Sequence, residues 1–170
     1  SFFTPRSIAV VGASATPRKI GAVPLRYLVE HGYAGAIYPI NRSATQVHGF
    51  PAYATPRDVG RPIDLAIFAI PAEGAEAALE DAIAAGVRRI VIFSGGFAVA
   101  RPQRAAGPRR VVAGSRAHGI RMLGPNCLGF MNASRSIYAT FSPVLDTGLA
   151  PAGTIGIVSQ SGAFGAYAYG

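Results

Sequence analysis

The sequence predicts an α/β fold built on a doubly wound parallel sheet, and three observations carry that expectation. Short apolar runs without polar alternation recur over 8–12, 36–40, 64–70 and 89–93, as expected of strands covered on both faces. Between them, apolar residues repeat at helical spacing. Each run closes in small, polar or proline residues, where a strand gives way to a turn and then a helix.

The chain opens on the segment 7–21. Residues 8–12 read as the first strand, Gly12-Ala13-Ser14 as a small-residue turn, and Lys19 and Gly21 as the approach to a helix. A strand that runs through such a turn into a helix N-terminus presents free N–H groups and the positive end of the helix dipole to an anion. Gly12 and Gly21 allow close backbone approach and Ser14 adds a hydroxyl. Lys19 is the single lysine among fifteen arginines and adds a full charge. Ser14 stands where G-x-G-x-x-G has its second glycine, and the Gly-Lys-Ser/Thr of a Walker A loop is missing. On its own, the segment fits either a phosphate site or a plain tight βα turn.

The first helix is expected over 20–31. Ile20, Val23, Tyr27 and Leu28 share a face, Pro24 sits in the first turn, and Gly32 is the stop. The second strand, 36–40, ends in Asn41-Arg42. An acidic residue at this point would hold a ribose diol. Asn41 and Arg42 suit a ribose that carries a phosphate, as coenzyme A does at its 3′ and NADP at its 2′ position. On spacing alone, Arg42 is equally well an exposed surface residue. The third strand, 64–70, closes at Pro71-Ala72. A helix over 73–85 follows, with Glu73 and Glu76 where the dipole favours them and Ala75, Ala78, Leu79, Ala82 and Ile83 inward. The fourth strand, 89–93, enters Ser94-Gly95-Gly96-Phe97. A helix over 104–118 and a fifth strand over 121–123 complete the sheet, flanked by Gly107-Pro108 and Gly124-Pro125. Ligands of such sheets collect at the carboxyl ends of the strands. Those ends are Gly12-Ala13-Ser14, Asn41-Arg42, Ile70-Pro71-Ala72, Ser94-Gly95-Gly96 and Gly124-Pro125-Asn126.

Composition narrows the function classes. The chain has 170 residues, half of them hydrophobic and 14% charged, enough for one full core and little more. No apolar run approaches the ~18 residues of a membrane helix, and the N-terminus shows no secretory signal. Cys127 is the single cysteine, which excludes an internal disulfide framework and makes a reducing cytoplasm the expectation. The net charge is +8, with nine arginines and no acid between Asp81 and Asp146. The arginines are scattered, with no aromatic platform and no recognisable module, so a nucleic-acid partner is not expected. No G-x-S-x-G elbow surrounds Ser159 or Ser161. His31, His48 and His118 lack metal-ligand spacing, and Cys127 reads as packed core rather than a reactive thiol. No catalytic residue and no metal site is expected.

Taken in order, S-I-A-V-V-G-A-S, Y-P-I-N, D-L-A-I-F-A-I-P-A, F-S-G-G-F and G-P-N-C-L-G-F resemble the CoA-binding domain of the NDP-forming (ADP-forming) acyl-CoA synthetases, the superfamily of the succinyl-CoA synthetase α subunit. The resemblance implies a Rossmann-like domain over 1–131 that binds coenzyme A. It assigns CoA contacts to Gly12, Ala13, Ser14, Lys19 and Gly21, to Asn41 and Arg42, to Ile70, Pro71 and Ala72, and to Phe93, Ser94, Gly95 and Asn126. Relatives often read Asn-Pro-Lys after the second strand and acidic residues after Phe97. Here these are Asn41-Arg42-Ser43 and Ala98-Val99-Ala100-Arg101, and the family's contacts in the stretch 98–101 do not transfer.

Residues 132–152, with Pro143 and Pro151, read as a linker. A new strand is expected over 154–159, leading into Gln160-Ser161-Gly162. The resemblance makes 153–170 the start of a second, flavodoxin-like domain that is cut short, with Ser159, Ser161 and Gly162 at a phosphate. It also implies what lies elsewhere in the enzyme: a phosphorylated histidine, ATP and magnesium, and an ATP-grasp domain or β subunit, in an oligomeric protein. The full reaction joins a carboxylic acid to CoA through an acyl phosphate, and these residues alone are expected to bind without catalysing. Two other functions share the pattern, a CoA-sensing module such as those fused to protein acetyltransferases, and an NADP-binding Rossmann domain.

Overall fold

A computed structural model describes residues 1–17, 19–95 and 106–169. The chain runs through β1 (Ser7–Val11), α1 (Val23–Glu30), β2 (Ala36–Ile40), β3 (Gln46–Val47), β4 (Phe50–Pro51), β5 (Leu65–Phe68), α2 (Ala75–Ala84), β6 (Arg89–Ile92), α3 (Ala106–Ala117), β7 (Arg121–Leu123), β8 (Gly129–Asn132), β9 (Ile137–Thr140) and α4 (Gly162–Tyr169). Five strands form one sheet in the order β2-β1-β5-β6-β7, with every neighbour parallel. The chain leaves β1 for one edge and then crosses back to β5 on its other side. The order therefore reverses between β1 and β5, and a crevice opens above their carboxyl ends.

Period-two alternation within the strands divides the core. Ile8, Val10, Ile37, Leu65, Ile67 and Val91 face Leu25 and Leu28 of α1 together with Ile137 and Ala139 of β9. Ala9, Val11, Tyr38, Ile40, Phe68, Ile90 and Ile92 face Ala75, Ala78, Leu79 and Ala82 of α2 and Val111 of α3. Both faces are covered, so uniformly apolar strands are the sequence this sheet needs.

Helix α1 begins at Val23, three residues later than its apolar spacing suggests, and Ile20 stays 49% exposed. The cause is local. Gly21 lies against the Gly12 carbonyl, Ala22 N–H bonds to Lys19 O at 2.9 Å in a separate turn, and Pro24 sets the first helical residues. At the other end, Tyr33 N–H reaches back to Leu28 O at 2.9 Å and Gly32 takes φ +72°, the glycine stop its position suggested. A 3-10 turn over Ala72–Gly74 precedes α2. Gly96, Phe97, residues 98–101 and the expected start of the third helix at Arg104 lie outside the described residues. Gly107-Pro108 falls within α3 rather than breaking it.

Three features differ from the expectation. Residues 46–51 form a hairpin, β3–β4, turned by His48 and Gly49, which both have positive φ. Tyr53 then runs along the outer edge of β2, bonding Pro39 O and offering its own carbonyl to Asn41 N–H. Residues 132–152 are not simply a linker. They hold β9, buried over its whole length and paired with β8, and Leu145 packs with Tyr138 against Tyr27 of α1. Tyr27 Oη donates to Ser142 O at 3.1 Å. Finally, 154–159 is not a strand. Ile155 is 89% exposed, because no described strand lies beside this segment to pair with it.

Candidate functional site

The turns at the carboxyl ends of the strands are tied into one continuous rim. Gly12 and Ala13 N–H both bond to Ile40 O, at 3.0 and 3.1 Å, which holds the first turn against the end of β2. Asn41 completes the join. Its Nδ2 donates to Ala13 O at 2.8 Å, and its Oδ1 accepts from the Ser43 and Ala44 amides, each at 2.8 Å. Ala69 N–H bonds to Val11 O at 2.9 Å on the other side of β1. Further along, Ser94 Oγ donates to Ile70 O, and Asn126 N–H donates to Ser94 O at 3.0 Å. A Cβ placed on Gly95 would come within 3.0 Å of Asn126 Oδ1. Gly12, Ala13, Asn41, Ile70, Ser94, Gly95 and Asn126 thus follow one another along the crevice.

Two glycines make the first turn possible. Gly12 has φ +86°, where a side chain is strained, and a Cβ there would press on Ala69 O and Ile70 Cγ2 at 2.6 Å. Gly21 has no such φ, yet a Cβ on it would land on the Gly12 carbonyl oxygen. The start of the helical segment is therefore seated on the turn with no room for a methyl group.

The remaining polar groups of this turn are available to a ligand. Ser14 is 8% exposed, and its Oγ accepts from Thr16 N–H at 3.1 Å, which leaves the hydroxyl proton for another acceptor. Lys19 and Arg42 are exposed, and among the described residues neither cation has an ion-pair partner. Ile70 and Ala72 are half-buried and Pro71 is exposed on the same rim.

Some expected contacts take a different role. Asn41 has its carbonyl oxygen and one amide proton engaged by backbone, so it clamps two turns together rather than presenting a free amide. Phe93 is 3% exposed, and its ring lies 5.0 Å from that of Phe141. It supports the rim from below. Burial pushes the Cys127 thiol up from its ordinary value, and Sγ sits 3.3 Å from Ile92 O, so this is a packed thiol. Ser159, Ser161 and Gly162 lie outside the rim. Ser159 Oγ and Ser161 N–H bond each other at 3.1 Å, Ser161 Oγ accepts from Phe164 N–H at 3.3 Å, and Gly162 abuts Leu128. Sequence reasoning passed over Tyr53, whose carbonyl fixes Asn41. The His48-Gly49 dipeptide between two short runs is the hairpin signal that places it. Among the described residues, no three His, Cys, Asp or Glu side chains gather where a metal ion would sit.

A doubly wound parallel domain, with its open rim lined by small turns, a buried hydroxyl and two cations without an ion-pair partner among the described residues, belongs to the class that binds phosphate-bearing cofactors. More particularly, the chain belongs to the CoA binding domain family, whose model matches residues 6–133. It is 35% identical over 165 residues to subunit alpha of an ADP-forming acetate–CoA ligase II from Pyrococcus furiosus, covering 97% of this chain and 35% of that relative. A crystal structure of a Pyrococcus horikoshii OT3 protein superposes with a TM-score of 0.88 at 34% identity, over 98% of this chain and 37% of that one. The dinucleotide forming acetyl-coenzyme A synthetase 1 of Ca. Korarchaeum cryptofilum, in complex with phosphate and ADP, gives 0.81 at 32% identity, over 98% and 35%. The chain spans about a third of the length of these relatives.

Proposed function

We propose that this chain binds coenzyme A in the carboxyl-end crevice and serves as the CoA-binding part of an ADP-forming acyl-CoA synthetase, an acid–thiol ligase. The observation that carries the reading is the pair of unpartnered cations, Lys19 and Arg42, on turns that the Asn41–Ala13 bond holds side by side. The diphosphate lies over Gly12, Ala13 and Ser14, with Lys19 beside it. Arg42 meets the 3′-phosphate of the ribose. Ile70, Pro71, Ala72, Gly95 and Asn126 border the adenine and pantetheine, while Gly21, Asn41, Phe93 and Ser94 shape the rim. Bound CoA supplies the thiol that accepts the acyl group, and this chain's residues hold and orient it.

In the same reading, 1–131 is the binding domain and 132–152 joins it, through the β9 packing described above, to a second domain that opens at 153. Ser159, Ser161 and Gly162 there take a phosphate. ATP and magnesium act in an ATP-grasp domain or β subunit of an oligomeric cytoplasmic enzyme. The sequence relatives and the family match over 6–133 support the CoA-binding part of this reading.

Calorimetric titration with CoA, dephospho-CoA and NADP tests it. CoA is expected to bind more tightly than the other two, and more weakly as salt rises. Lys19→Ala should lower CoA affinity about ten- to a hundredfold, the scale of one charge-assisted hydrogen bond. Arg42→Ala should remove the preference for CoA over dephospho-CoA. A folded protein that binds no CoA, or that binds it equally well in both variants, refutes the proposal.

A further inference from the structure

The opposite end of the sheet, where the strands begin, has its own cavity of about 550 Å³. Its walls come from the segment before β5 and from the turn between α2 and β6. They carry Arg57, Arg61, Arg88 and Arg89 around one carboxylate, that of Asp64. Asp64 is already engaged from outside: its Oδ2 accepts from Arg6 N–H at 2.8 Å and lies 3.8 Å from Arg6 Nε. Arg57 pairs with Asp81 at 2.9 Å. The other three have little. Arg88 and Arg89 donate to the carbonyls of Val87 and Asp64 at 3.5 Å, the long limit of a hydrogen bond. Arg61 has no ion pair among the described residues.

The register adds a further strain on these charges. Arg89 lies directly opposite Arg121 across the β6–β7 pair, and like charges in that position repel. The cavity thus gathers guanidiniums that the described residues leave largely unneutralised. Their planar forks match phosphate oxygens two at a time. One phosphate monoester carries only about −1.5 to −2, less than Arg61, Arg88 and Arg89 together present.

We propose that this cavity binds a chain of two or more phosphates, supplied as inorganic pyrophosphate or as the polyphosphate end of a nucleotide. The site is separate from the carboxyl-end crevice by the length of the strands, on the order of 13–16 Å. It stands whether or not CoA binds there.

The test is titration of this chain, at low salt and without metal, with pyrophosphate, ADP and orthophosphate. Pyrophosphate should bind more tightly than orthophosphate, and the arginine variants separate this site from binding in the carboxyl-end crevice. Equal affinity for ADP and pyrophosphate means that only the phosphates are read, whereas tighter ADP binding identifies a nucleotide as the source. Arg61→Ala and Arg88→Ala should each weaken pyrophosphate about tenfold or more. Arg61→Lys and Arg88→Lys, which keep the charge and lose the fork, should fall between. Arg135→Ala, an exposed arginine on the β8–β9 turn, should bind like the unaltered chain. Three results would each overturn the assignment: no saturable binding, no loss in the Arg61 and Arg88 variants, or an equal loss in Arg135→Ala, which would mean net charge alone.

Discussion

Gly21→Ala is the most direct probe of how the first turn is built. The added Cβ would clash with the Gly12 carbonyl oxygen and sit 2.7 Å from its carbon and 3.4 Å from Ala13 Cα. All three are backbone atoms of residues whose N–H groups bond to Ile40 O, so no side chain can swing away. Inserting a methyl into filled space costs about 1–3 kcal/mol, and a clash with fixed backbone belongs at the upper end. For a domain of this size, about 3 kcal/mol lowers Tm by roughly 6–12 °C. Gly32→Ala is the matched control. There φ is +72° and nothing lies within 4 Å of the new Cβ, so only the left-handed backbone is penalised, by about 1–2 kcal/mol. Thermal melts followed by circular dichroism, with urea denaturation as a second measure, compare the two. The turn must shift to accept the added methyl group, so CoA affinity should fall in Gly21→Ala and hold in Gly32→Ala. Gly21→Ala melting with the unaltered protein, or no lower than Gly32→Ala, would refute the close seating of helix on turn.

Asn41→Ala removes the clamp between the first two turns, and urea denaturation should show a loss of about 1–3 kcal/mol from backbone groups left unpaired; an unchanged midpoint would mean those bonds do not hold the rim. The Arg26 guanidinium, 2.8 Å from Asp146 Oδ1, holds that carboxyl below its ordinary value. Its folded pKa lies under the unfolded one, so the stabilisation is present above about pH 4 and is lost as pH falls through the folded value. Melts from pH 2 to 7 should show Asp146→Asn less stable at neutral pH and with a flatter acid limb, and parallel curves would count against the pair. Cys127 should react slowly with a thiol reagent at pH 8 in the folded chain and rapidly in urea, since burial keeps it protonated; fast labelling of the folded chain would place the thiol on the surface.

The central sheet was legible because each strand is a short apolar run between breakers. β2 and β7 match the expected 36–40 and 121–123, and the other three shift by one or two residues at one or both ends. The rim was legible for the same reason, since parallel topology places every carboxyl end on one side. What was hidden depends on contacts far along the chain. β9 carries Tyr138 and Thr140 among small residues near two prolines, and it becomes a strand through pairing with β8 and packing on α1. Asn41 reads in sequence as a polar group at a strand end. Only the position of Ala13 O and of the two following amides makes it a clamp. The arginine cavity was harder still, because its members are 57, 61, 88 and 89, brought together by the way β5 and β6 begin side by side.

The outer side of β2 has a consequence for how such molecules meet. Pro39 O points outward to Tyr53 N–H, and in a strand the nitrogen of a residue faces the same way as its carbonyl. One of the two outward-facing positions of β2 is therefore a proline, which has no amide to offer, and Tyr53 takes its carbonyl; the other is Ile37. At the far side, β7 is three residues long and begins with an exposed arginine. Among the described residues both margins of the sheet are short and interrupted, which makes each a poor template for a further strand. Edge-to-edge pairing of copies is thus disfavoured at both margins.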